Sequence, residues 1–158
     1  MENTSDFLNN LCLYCVSNYE VMNSARIMSS FIYQCGRLLN LDIMAVEGIL
    51  YVEINGYKRQ YAHCFNTYKS NIIDASIYQY ALIYKNVENK FPLYISEKLP
   101  IHIEYKISDE IKYMNQVKFS KHLLNKVINE AKAATNLKKE RFSLMEDNKK
   151  ENLFQLIR

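Results

Sequence analysis

In the stretch QYAHCFNTYKSNIIDASIYQY, from Gln60 to Tyr80, a histidine (His63) precedes an aspartate (Asp74) set in apolar sequence. An imidazole with a carboxylate partner can take a proton from a nucleophile and return it to a leaving group, while the carboxylate fixes the ring tautomer. Such a pair needs a hydroxyl or a thiol to act on. Ser24 is the candidate, because it lies four residues before Met28, at the start of an apolar helical stripe. A helix start supplies unpaired backbone N–H groups and the positive end of the dipole, which stabilise a thiolate and a developing oxyanion.

The elements that must bring these residues together can be read from the hydrophobic period. Residues 5–20 place Leu8, Leu11, Cys12, Cys15 and Tyr19 on one helical stripe. A second helix is expected from Ser24 to about Leu39, with Met28, Phe31, Ile32, Cys35, Leu38 and Leu39 on one face and Asn23 as its N-cap. The period then becomes extended. IMAVEGILYVEI and YKRQYAHCFNTY flank Asn55-Gly56, a strong hairpin signal. With those two residues as the loop, Ile54 faces Tyr57, Glu53 faces Lys58, and His63 lies opposite Gly48. One face then carries Val46, Gly48, Leu50, Val52, Tyr61, His63 and Phe65; the other carries Glu47, Tyr51, Glu53, Lys58, Gln60 and Asn66. A two-residue turn at Lys69-Ser70 makes Asp74 the diagonal neighbour of His63, roughly 7–8 Å away at the backbone. A three-residue turn would send it to the other face. IYQYALIY and IHIEYKI (101–107) read as further strands. Residues 119–145 read as a helix with Leu123, Leu124, Val127, Ile128, Ala131 and Ala134 on one side.

Each candidate has a plainer role when taken alone. Ser24 could cap its helix, His63 could be a core histidine bonded to a carbonyl, and Asp74 could close a turn. Their order along the chain and their shared face favour a triad. Cys12 and Cys15 form a CxxC within a helical pattern, without the second pair that a zinc site needs, so both read as core. Cys35 falls on a buried stripe. Cys64 should point away from His63 and is the rival nucleophile only if the register slips. His102 and His122 read as solvated.

The segments NSARIMSSFIYQCGRLLNLDIMAVEG, AHCFN and IIDAS resemble, in that order, the core of transglutaminase-like cysteine enzymes, relatives of papain. The resemblance covers residues 23 to 76, roughly a third of the chain. It implies an α+β fold with N-terminal helices packed on an antiparallel sheet, followed by a C-terminal helical segment. It makes His63 the general base, Asp74 the orienting acid and Ser24 the occupant of the nucleophile position, where the family has cysteine. Asn18 falls where papain relatives often keep an oxyanion-hole side chain. The implied activity is acyl transfer: a protease, a glutamine deamidase or a transglutaminase acting on a protein or peptide, without a cofactor. Serine in place of the thiol fits an engineered Cys→Ser form, a natural pseudoenzyme or a serine variant of the triad. An intact His63 and Asp74 favour the first. The competing function is a catalytically silent module that holds a peptide beside His63.

The composition agrees with one core. The 158 residues are 49% hydrophobic and carry a net charge of +3, from 20 Lys and Arg against 17 Asp and Glu. That balance argues against a dedicated nucleic-acid binder and leaves an RNA or membrane adaptor working through Lys138–Lys150 as the weakest reading. A single domain over 1–158 is expected, with a core over about 5–107 and a charged helical extension over about 108–158. No apolar run reaches the roughly 20 residues needed to span a bilayer. No acidic cluster suggests calcium. Four cysteines and an N-terminus without a basic start suggest reduced thiols, in the cytoplasm or in a host cell to which the protein is delivered.

Overall fold

A computed structural model describes residues 4–83, 93–95, 98–137 and 150–157. The fold is α+β. Its helices are α1 (Thr4–Asn18), α2 (Ala25–Leu38), α3 (Tyr78–Ile83) and α4 (Lys121–Leu137). Its strands are β1 (Ile43–Ile54), β2 (Tyr57–Tyr68), β3 (Asn71–Ile73), β4 (Tyr94–Ile95) and β5 (Ile103–Glu110). They form one antiparallel sheet in the order β4-β3-β2-β1-β5, in which β4 is a two-residue edge.

The long β1–β2 hairpin has the expected register. Ile54 pairs with Tyr57, Glu53 with Lys58 and Gly48 with His63. Asn55 and Gly56 both take positive φ, 52° and 82°, the twist that lets a two-residue loop follow the right-handed twist of the strands. Asn66 departs from the expected polar face: it is buried, and its amide donates to the carbonyls of Ser29 and Met44. α2 covers that end of the face, which also explains the burial of Ala45, the partner of Asn66. Gly48 marks a register shift where β1 meets β5, and a Cβ there would lie 1.9 Å from the Lys106 carbonyl oxygen. Only glycine lets the two backbones approach so closely.

α1, α2 and α4 bury their apolar stripes together. Phe7, Leu8, Leu11, Phe31, Ile32, Val127 and Ile128 join Leu50, Val52, Ile54 and Ile103 of the sheet in one core. Cys12, Cys15 and Cys35 lie inside it, and burial raises each thiol well above its ordinary pKa, as small hydrophobes in a core require. The chain end belongs to the same core. Leu153 is buried, and the Glu151 backbone exchanges hydrogen bonds with Asn18 and Glu20, pinning the link from α1 to α2. Lys150 is buried, with its ammonium 6.0 Å from the centre of the Tyr78 ring. Residues 138–149, which include the rest of the charged stretch proposed as an adaptor tail, lie outside the described residues. So does the end of the helix expected over 119–145.

Three expectations are corrected. Residues 77–83, all but the last of IYQYALIY, form no strand: Ala75–Ile77 makes a 3-10 turn that runs into α3. Residues 75 to 80 are all buried, and an apolar run buried on every side carries no period to separate strand from helix. The N-cap of α2 is Ser24 rather than Asn23, which takes a left-handed φ of 57° just before it. His102 lies in the turn before β5, where its carbonyl accepts from the Glu53 N–H. Among the described residues, no helix is long and apolar enough to cross a membrane.

Candidate functional site

The turn between β2 and β3 decides where Asp74 falls. Tyr68 pairs with Asn71 and Asn66 with Ile73, so Lys69-Ser70 is a two-residue loop, with Lys69 at a φ of 54°. The next residue, Asp74, therefore sits diagonally across from His63. Both side chains are almost fully enclosed, at 0% and 1% exposure. His63 Nε2 lies 2.9 Å and 2.8 Å from the two Asp74 carboxylate oxygens. A carboxylate only accepts, so Nε2 carries a ring proton, and in the neutral ring Nδ1 keeps its lone pair. That lone pair meets the Tyr80 hydroxyl at 3.2 Å.

Asp74 has further donors. Tyr105 Oη donates to Oδ2 at 2.6 Å, and Ser76 Oγ donates to Oδ1 at 3.1 Å. Burial raises the pKa of both Tyr80 and Tyr105, and the negative charge of Asp74 raises them further. Both phenols thus remain O–H donors across the neutral range. Buried polar groups are stable only when so satisfied, and this network leaves both ring nitrogens and both carboxylate oxygens with partners.

Ser24 is held differently. Its Oγ donates to the Val21 carbonyl at 2.6 Å, as does its backbone N–H at 3.2 Å. It therefore caps no N–H of α2. Among the described residues, no hydrogen bond joins Ser24 to His63. The structure unites His63 and Asp74 and leaves Ser24 bonded within its own turn. Asn18 is also engaged locally, donating to the Tyr14 carbonyl at 2.9 Å.

A cleft of about 860 Å³ opens beside the pair. Ala25 and Arg26 at the start of α2 line it with His63 and Cys64 of β2 and with Gln79 and Tyr80. Cys64 pairs with Glu47, next to the pair of His63 with Gly48, so it falls on the opposite face of β2 from His63, as expected; it is half-buried and also lines the cleft. Burial raises its thiol pKa more than the Arg26 charge lowers it, so the group is not an activated thiolate. No group of three or more His, Cys, Asp or Glu among the described residues could hold a metal ion.

Sequence reasoning missed four contributors: Ser76, Gln79, Tyr80 and Tyr105. Ser76 was accessible, since a serine two residues after an aspartate commonly bonds back to it. The other three depend on the helical course of residues 78–83 and on the pairing of β5 with β1. No family model, curated protein or solved structure matches the chain.

Proposed function

We propose that this chain is built for acyl transfer of the transglutaminase-like cysteine-enzyme type, with serine at the nucleophile position. The observation that carries the reading is the buried Asp74–His63 pair, which leaves Nδ1 as the basic atom beside a cleft at the start of α2. In the reaction, Nδ1 takes the proton of the residue at position 24 as its Oγ, or a thiol in its place, attacks a carboxamide or peptide carbonyl. The leaving amine receives that proton as the tetrahedral adduct collapses. Water then releases the acid, or an acceptor amine forms the new amide. Asp74 holds the Nε2–H tautomer throughout. For this to occur, the Ser24 bond to Val21 and the Tyr80 bond to Nδ1 must both give way.

A serine hydroxyl lacks the acidity that a helix start can confer on a thiol, so Ser24→Cys is the variant in which to look for turnover. Glutamine-containing peptides, assayed for ammonia release, amine incorporation and chain cleavage, separate deamidase, transglutaminase and protease. Turnover by Ser24→Cys that disappears on adding His63→Ala supports the reading; turnover indifferent to His63 refutes it.

The 2.6 Å bond from Ser24 to the Val21 carbonyl favours a second reading, a silent module that binds an extended peptide in the cleft. Peptide binding unchanged by Ser24→Ala, together with an unreactive Ser24→Cys, is its signature.

A further inference from the structure

An acyl-transfer site must hold the negative oxygen that forms when the carbonyl is attacked. Two evident donors are already engaged: the Ser24 N–H and the Asn18 amide bond the Val21 and Tyr14 carbonyls. Gln79 is placed differently. It is only 6% exposed, lines the cleft beside His63 and Tyr80, and accepts from the Asn23 N–H through Oε1 at 3.3 Å. That bond fixes the amide orientation. It leaves both Nε2 hydrogens without a partner among the described residues.

A nearly buried carboxamide with its oxygen anchored and its donors unmet is arranged for an acceptor that arrives from outside. Its Nε2 is not fully enclosed, so those donors are open to an acceptor that enters the cleft. The anchor is Asn23, whose left-handed backbone immediately precedes Ser24. The amide is thereby tied to the start of α2.

We infer that Gln79 is a catalytic residue of this site: its Nε2–H donates to the oxyanion that forms when a carbonyl in the cleft is attacked from position 24. This rests on the acyl-transfer reading. The nucleophile's lone pair forms the new bond to carbon, and the C=O π pair moves onto oxygen, where Gln79 receives it. On collapse the pair returns, and the leaving group departs with its bonding electrons.

Two reagents isolate this role in the Ser24→Cys protein. p-Nitrophenyl acetate acylates a thiol through a tetrahedral oxyanion and releases p-nitrophenolate. Iodoacetamide alkylates the same thiol by displacing iodide, with no oxyanion. Gln79→Glu keeps the oxygen that accepts from Asn23 and removes the donor; Gln79→Met removes both. The expected result is a fall of about 10²-fold in acylation for both variants, relative to their alkylation rates. If acylation and alkylation fall together, Gln79 only positions the site and the inference fails; it fails equally if neither rate falls. If acylation falls only in Gln79→Met, the Asn23 anchor is responsible, not the donor. Alkylation that ignores His63→Ala defeats the acyl-transfer reading itself, and the Gln79 role with it. Circular dichroism and thermal melts identify any variant that has lost its fold; Gln79→Glu, nearly isosteric, then carries the decision.

Discussion

Tyr105 lies on β5, which β2 and β1 separate from the β3 strand that Asp74 follows, yet its hydroxyl makes the shortest bond to the carboxylate, at 2.6 Å. Tyr105→Phe deletes that oxygen and little else. A hydrogen bond to a charged acceptor contributes about 1.5–3 kcal/mol, and the half-buried setting of Tyr105 argues for the lower end, about 1.5 kcal/mol. Asp74 keeps His63 and Ser76, so no carboxylate oxygen is left without a donor. In a domain of this size a loss of about 1.5 kcal/mol lowers Tm by roughly 3–6 °C. The assay is a thermal and urea melt of Tyr105→Phe, Asp74→Asn and the double variant. If the bond acts through the carboxylate, the two losses are not additive, with a coupling of about 1 kcal/mol. An unchanged Tm, or a Tyr105→Phe loss of equal size in the Asp74→Asn background, refutes this reasoning.

Gly48→Ala should cost about 3 kcal/mol or prevent folding, because the added methyl would meet the Lys106 carbonyl at 1.9 Å; yield and urea midpoint report it. Stability should be level through neutral pH and fall above about pH 9, measured by urea melts across the alkaline range. Burial raises Cys12, Cys15 and Cys35 above their ordinary value of 9.0, so the unfolded chain loses those protons first and gains stability as pH rises. In the Ser24→Cys protein, Asp74→Asn should slow acylation by p-nitrophenyl acetate by about 10⁴-fold, because the amide no longer enforces the Nε2–H tautomer.

The hairpin was legible because Asn55-Gly56 fixes a loop length and period-2 burial then fixes every partner from Ile54 to His63. The Asp74–His63 contact followed from one conditional, a two-residue loop at Lys69-Ser70, and the pairing of Tyr68 with Asn71 satisfies it. The other half of the site was hidden for physical reasons. Tyr80 and Gln79 sit where an apolar run is buried on all sides, so its helix could not be told from a strand. Tyr105 reaches Asp74 only because β5 returns beside β1 with a bulge at Glu47/Gly48, a long-range register that no local spacing encodes. The Ser24 hydroxyl turns to Val21 by a rotamer choice made after the backbone is set, and its sequence position does not reveal it. Asn66 looked polar and outward until α2 supplied the Ser29 carbonyl as its acceptor.

The central claim is that His63 Nδ1 is a base serving position 24. Ser24→Cys, with and without His63→Ala, treated with iodoacetamide at neutral pH and mapped by mass spectrometry, tests it directly. The account predicts fast labelling at position 24, well ahead of Cys12, Cys15, Cys35 and Cys64, and its loss on adding His63→Ala. Labelling at position 24 no faster than at Cys64, or equally fast without His63, would contradict it.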